Sequence, residues 1–308
     1  MAHYRFVGLL LVGVALLTGC ASTRTGSAEA PAARWFDGRT GAPASPEQAA
    51  SACAASDAFI VGENHGHPLG LATAAALWED VLKRTDKAAL SMEFFDRDEQ
   101  SRLDDYLTGL ADEKTFRTRT GRTDSGYPPG HRRMVEAAKA AGRPVIASNA
   151  PRSQVRAAGK EGYERLAKLT AEQRRLVRVP DELPTGRYRE DFDKVMSDPN
   201  AAHGPQPKTE AEKKEKLDSA FRGQSLWDWT MADSVASALA AGDRPVCHVV
   251  GRFHMDHHGG LVQALEKLRP GVKVVTVSFV DAWSDGLREE DKGRADFVVY
   301  VGAAPKEK

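Results

Sequence analysis

Six short apolar runs, four to eight residues long and with few polar interruptions, constrain this chain more than any other feature. They cover residues 58–61, 88–93, 144–148, 245–250, 272–279 and 297–301. Unbroken apolar character over such lengths fits strands covered on both faces, as in a mostly parallel sheet. Between the runs, residues 69–84, 97–110, 132–141 and 226–241 carry helical patterns, and "GGLVQALEKLRPG" opens and closes with glycine as a further short helix. Strands alternating with helices predict an α/β fold: a mostly parallel central sheet flanked by helices, spanning residues 56–308.

Residues 150–225 break the alternation. "EGYERLAKLTAEQRRLVRVPDELP" and "HGPQPKTEAEKKEKLD" are charged and poor in strand-like runs, so this stretch reads as a helical insert. Two roles stay open for it. It is a solvated excursion, or it covers the rim of the sheet and walls a pocket with Tyr163, Tyr188, Phe192 and Met196.

The N-terminus speaks to address. Arg5 is the only charge before the apolar run Phe6 to Leu17, and "LTGC" follows at once. The run is short for a spanning helix and ends at a small-residue cleavage site. The pattern fits a bacterial lipobox: a signal peptide over 1–19, cleavage before Cys20, and lipid carried on Cys20. Two or more acyl chains hold a protein on a membrane durably. Ala21 and Ser22 after the cysteine lean towards the outer membrane, facing the periplasm. Residues 20–55 then read as the lipidated cysteine and a flexible tether. Formal charge is balanced, with 43 basic and 43 acidic side chains, so nothing points to nucleic acid. An exported pair, Cys53 and Cys247, can form a disulfide. The apolar setting of Cys247 in "RPVCHVVG" favours a buried free thiol.

In open α/β sheets ligands bind beyond the carboxyl ends of the strands. Four strand ends here turn polar: "GENHGH" (Gly62 to His67), "SMEFFDRDE" with Glu93, "ASNAPR" with Asn149 and Arg152, and "GRFHMDHHGG" with His254, Asp256, His257 and His258. Five of the nine histidines fall in two of these ends, which favours a site over scattered surface groups. Two ends share Gly-x-x-His, and glycine is expected to let the chain turn sharply as it leaves the sheet. His65 and His254 with Glu93 make a two-nitrogen, one-oxygen set able to hold a divalent metal. Glu63 could act as the catalytic base towards a bound water, should the protein be a hydrolase.

The blocks "FIVGENHG", "LSMEFFDR", "AAGRPVIASNAPR", "GQSLWDWTMADSVASAL" and "CHVVGRFHMDHHGGL" resemble, in order, those of the ChaN-like haem-binding lipoproteins of the wider Tiki, TraB and erythromycin-esterase group. The resemblance covers roughly residues 56–280. It implies an α/β fold with a helical part, a role in haem or iron handling at the cell envelope, and a shared pocket lined by the Gly-x-x-His motifs. It also implies a tyrosine ligand to haem, for which Tyr127 in "SGYPPGHRRM" is the nearest match and Tyr188 the second. His257 and His258 enrich the second loop beyond the simpler family pattern and favour haem iron or a metal. The cofactor is therefore haem or a divalent metal ion, the role iron uptake, and the alternative a metal-dependent hydrolase; whether the chain is an enzyme, and whether it forms a homodimer, stay open. "SLWDWTMADSVASALAAG" has helical spacing and reads as a core-facing helix, with Asp228 or Asp233 reaching the site as the lesser reading. GxSxG, a phosphate-binding glycine loop and HExxH do not occur, which removes support for serine esterases, nucleotide enzymes and the commonest zinc proteases.

Overall fold

The computed structural model describes residues 32–124, 126–198 and 209–304. The expected signal peptide 1–19, Cys20 and the tether residues 21–31 lie outside the described residues. The strands are β1 (Arg34–Asp37), β2 (Pro43–Ala44), β3 (Ala58–Glu63), β4 (Ala89–Asp96), β5 (Val145–Asn149), β6 (Val246–Gly251), β7 (Val274–Val280) and β8 (Phe297–Tyr300). The helices are α1 (Pro46–Ala54), α2 (Pro68–Leu82), α3 (Gln100–Leu107), α4 (Glu113–Arg119), α5 (Pro129–Ala140), α6 (Arg152–Glu161), α7 (Ala171–Arg174), α8 (Arg187–Met196), α9 (Glu210–Ala241) and α10 (Gly260–Leu268). All strands join one sheet in the order β2-β1-β8-β7-β3-β6-β4-β5. The six from β3 to β8 run parallel to their neighbours, and β1 and β2 pair antiparallel at one end. The expected mostly parallel α/β sheet is the one observed.

Both faces are covered, which is why the strands carry so few polar residues. Phe59 and Val61 of β3 pack with α1, α2 and α5 on one face, while Ala58 and Ile60 pack with α9 and α10 on the other. A strand's side chains alternate between faces, so one tetrapeptide feeds both cores. The outer edge of β5 has no neighbouring strand, and a side chain stands in for one. The Gln100 amide donates to the Val145 carbonyl (3.0 Å) and accepts from the Ala147 N–H (2.7 Å). Those are the two groups a further parallel strand would engage, so the edge is closed against stray pairing.

Residues 34–54, expected within the tether, carry regular structure instead. Trp35 and Phe36 are buried on β1, and α1 starts at a Ser45–Gln48 capping box and buries Ala49, Ala50 and Cys53. Cys53 and Cys247 are both free and buried. Within 150–225 the described residues form helices and no strand, as the sequence predicts.

Connections decide where a ligand can sit. From β3 the chain passes through α2 to β4, towards the β5 end of the sheet; from β6 it passes through α10 to β7, towards the β8 end. Adjacent strands whose chains leave in opposite directions open a crevice between their carboxyl ends. That crevice lies between β3 and β6, which are in register from Ala58–Val246 to Glu63–Gly251.

Candidate functional site

Glu63 ends β3 with its side chain almost fully buried, and both carboxylate oxygens are engaged. Oε1 lies 3.1 Å from His65 Nδ1, and Oε2 lies 2.7 Å from Nε2 of His131 on α5. Burial alone would raise its pKa, but the two imidazole contacts outweigh burial and hold the carboxyl below its ordinary range. The ring of Phe94 lies 3.8 Å from that of His131 and stands edge-on to His65 at 5.6 Å. Asn64 ties this loop to its neighbours: its amide donates to the Phe279 carbonyl, and its oxygen accepts from Arg252 (2.7 Å).

On the second loop His254 is held from the α9 side. Its Nδ1 lies 2.6 Å from Asp228 Oδ1, and Asp228 Oδ2 accepts from the Tyr188 hydroxyl (2.8 Å). The Gln224 amide lies 3.0 Å from the Tyr188 oxygen and 3.2 Å from His254 Nδ1. Glu93 accepts from the Gly251 N–H (2.6 Å), and its other oxygen lies 3.7 Å from His254 Nε2. Burial opposes charge on His254, yet Asp228 and Glu93 outweigh it and raise the pKa. Burial pushes Asp228 upward, partly offset by His254. Asp256 gathers Arg252, Arg294 and the Ser278 hydroxyl, which braces the loop. His257 and His258 sit in left-handed backbone (φ 52° and 62°), a conformation costing roughly 1–3 kcal/mol each for residues other than glycine.

The two glycines serve close approach rather than a turn. Gly62 continues the strand, and Gly251 has φ −55°, which any residue adopts. A Cβ on Gly62 would stand 2.5 Å from Met255 Sδ and 2.9 Å from Arg252 Cα; one on Gly251 would stand 2.9 Å from His65 Cε1. Each loop's glycine makes room for the other loop, so the paired motif encodes their interlock.

Beyond the loops lies a cleft of about 790 Å³. Glu63, Asn64, His65, His254 and His257 form one wall, and Tyr188, Phe192, Val195 and Met196 of α8, with Phe253, form the other. The insert therefore covers the rim, as the second of the two open readings held, through three of the four aromatic and methionine residues named for it. Tyr163 bonds to the Arg222 carbonyl instead and does not line the cleft.

Other expectations need correcting. His65, Glu93 and His254 do gather around Gly251, but among the described residues no group of three or more His, Cys, Asp or Glu side chains is placed to hold a metal ion. The reason lies in their partners: His254 is sealed against Asp228, Glu93 is bonded to the loop backbone, and His65 alone is open. Each oxygen of Glu63, named as a base should the protein be a hydrolase, already faces one imidazole nitrogen. His258 turns away to Glu266 (3.2 Å) and leaves His257 as the cleft residue, its Nε2 buried without a partner among the described residues. Tyr127 is not near these histidines in role. Its ring packs with Phe95 and Phe116, burial pushes its phenol well above the ordinary range, and it borders a separate cleft lined by Arg117, Arg122, Arg132 and Arg133. His131 and Gln224 escaped the sequence reading as site residues, while Asp228, the lesser of the two readings of its helix, does reach the site. Asp228 offered a signal, since a carboxylate inside an apolar helical stretch needs a partner.

A mostly parallel α/β sheet with a covered histidine cleft at its switch point defines the class: an α/β protein with a candidate ligand cleft at the rim of its sheet. More narrowly, residues 49–265 match the haem-binding uptake family of the Tiki superfamily, ChaN, and the chain belongs to that family. No curated protein matches it closely enough to count as a relative. Among solved structures it is similar to ChaN of Campylobacter jejuni, described with cofacial haem binding, at 16% identity and a TM-score of 0.66 over 87% of this chain and 96% of that one. More distant are the type III effector HopBA1 (12% identity, TM-score 0.46, covering 84% and 94%) and an erythromycin esterase mutant in its open conformation (12%, 0.45, 89% and 84%).

Proposed function

We propose that this protein binds haem in the cleft between β3, β6 and α8, as a lipid-anchored protein of the cell envelope with a part in iron uptake. The observation that carries the reading is His65: its side chain is 63% exposed, one nitrogen is held by Glu63, and the ring lines a cleft to which α8 brings Tyr188, Phe192, Val195 and Met196 beside charged side chains. Haem supplies an iron that takes an axial imidazole and a porphyrin that takes an apolar wall. The volume falls within the ordinary range for small-ligand sites, roughly 300–1,000 Å³. His257 offers a second imidazole, and Arg187 and Lys194 at the rim suit the propionates. Family membership supports the ligand, and "LTGC" supports the anchor and address.

Haemin titration of protein beginning after Cys20 tests the ligand. A saturable Soret shift is expected, weakened at least tenfold (about 1.4 kcal/mol) in His65→Ala. A shift that survives His65→Ala but is lost in Tyr127→Phe would move the haem to the arginine-lined cleft, and no saturable shift would remove haem altogether. For the anchor, Cys20→Ser is expected to abolish detergent partitioning; partitioning like wild type would refute it.

A further inference from the structure

The first part of the insert takes no share in lining the cleft. Between Arg152 and Arg178 it carries eight Lys or Arg and three acidic side chains, in a chain whose totals are equal at 43 and 43. Three of these cations, Arg152, Arg156 and Lys160, stand four residues apart on α6, so they share one face, and all three are exposed. The opposite face of α6 buries Val155, Ala158 and Gly159 against α9. Like charges at this spacing repel one another along the helix. Among the described residues neither Arg156 nor Lys160 has an ion pair to relieve that repulsion. The turns that follow add exposed Lys168, Arg174 and Arg175, and the Gln154 amide, donating to the Gln173 carbonyl (3.0 Å), ties them to α6.

We propose that this basic side of the insert is a docking face for an anionic lipid bilayer. A protein partner needs apolar anchors at the centre of its footprint. Between residues 152 and 178 no large apolar side chain is exposed. A bilayer requires no such anchor, because each Lys or Arg brought to its anionic headgroups tightens binding roughly fivefold. The choice of a bilayer over another polyanion rests also on the lipid anchor proposed above. At about 3.6 Å per residue the thirteen residues between Cys20 and Arg34 reach at most about 45 Å. The eight strands of the sheet span only about 34 Å. An anchor joined to the chain ahead of β1 therefore leaves α6, which follows the far edge strand β5, able to meet the same surface. Arg152 opens α6 just past the carboxyl end of β5, on the rim where the cleft lies, so the contact fixes which way the cleft faces.

Co-sedimentation with vesicles tests it, using protein that starts at Ala21 and carries no lipid of its own. All the described strands and helices begin after residue 33, so the fold is retained. The vesicles are phosphatidylcholine alone, or phosphatidylcholine with an equal part of phosphatidylglycerol. Binding is expected to the anionic vesicles only, and is expected to be lost at high salt, which screens the charges. The combined variant Arg152→Ala, Arg156→Ala, Lys160→Ala should bind about a hundredfold more weakly. Lys87→Ala, Lys114→Ala and Lys213→Ala together remove the same charge from exposed positions elsewhere and should change binding less than about threefold. Circular dichroism checks that both variants keep the fold. Wild-type protein that ignores anionic vesicles overturns the inference. Equal weakening in the two variants also overturns it, since that marks net charge rather than a face. Binding to poly-glutamate without binding to anionic vesicles overturns it too, and assigns the face to an acidic protein. Because the protein used is unlipidated, these results are independent of Cys20→Ser, which alone decides the anchor.

Discussion

His65 and His254 each stand three residues past a glycine at the ends of neighbouring parallel strands, yet the first side chain is 63% exposed and the second 10%. What separates them is the cover. Over the second loop, α9 supplies Asp228 and Gln224 and α8 supplies Tyr188, so His254 becomes part of a buried polar chain. The first loop is tied down through Asn64 to Phe279 and Arg252, but no helix covers His65, whose one hydrogen-bond partner, Glu63, is backed by His131. One motif therefore serves two ends: His254 locks the loop that forms the wall, and His65 stands exposed at the cleft. A sequence pattern fixes where a side chain starts, while the neighbouring helices decide whether it is ligand or brace.

The comparison breaks most visibly if the brace is removed. Asp228→Ala leaves the buried His254 with Glu93 as its remaining charged partner and Gln224 as its remaining amide contact, and the loss expected is about 3–5 kcal/mol by urea unfolding. A loss below about 1 kcal/mol would mean His254 is not locked as described.

Gly62→Ala and Gly251→Ala sharpen it. The first meets Met255 and the Arg252 backbone, and should cost about 1–3 kcal/mol through overpacking. The second meets the edge of an exposed ring that can swing aside, so it should cost less stability but weaken haemin binding. Equal stability losses would show that the two loops are braced alike.

Acid separates His254 from His248, on the strand that leads into its loop. Burial, with the nearby charge of His254, pushes the pKa of His248 down to about 3. A depressed pKa contributes stability that is present above the unfolded value of about 6.5 and lost as pH falls towards about 3. His254 has the opposite sign, since its raised pKa contributes below about 6.5 and is lost as pH rises through the folded value. Urea midpoints between pH 7 and 4 should fall more steeply in wild type than in His248→Gln, by up to about 1.4 kcal/mol per pH unit. Parallel curves would place His248 in a wetter setting. At the small end, His65→Ala should cost about 1 kcal/mol, since it removes one of the two partners of the buried Glu63 while His131 keeps the other.

The sheet was legible because strands covered on both faces must be apolar throughout; "AFIVG" and "PVCHVVG" can hardly be anything else. The first strands were not, because Trp35 and Phe36 lie among small polar residues, β2 is two residues long, and α1 packs through alanines and a cysteine. The convergence of the two Gly-x-x-His loops was legible from their place at strand ends. Their division of labour was not. It depends on Asp228, 26 residues before the His254 it holds and set in a helix that reads as plain core, on Tyr188, 40 residues before Asp228, and on His131, hidden in the polar stretch "PPGHRRM". The packing of Tyr127 was not legible either, since Phe95 and Phe116, which its ring meets, lie in stretches distant from "SGYPPGHRRM".

Carbethoxylation of histidines, followed residue by residue with mass spectrometry, tests the central contrast most directly. His65 should react readily together with exposed His258, while His254, His131 and His248 stay unmodified in the folded protein, and added haemin should protect His65 and leave His258 reactive. Modification of His254 as fast as His65, or a His65 that haemin does not protect, would contradict the division between an open ligand and a sealed brace.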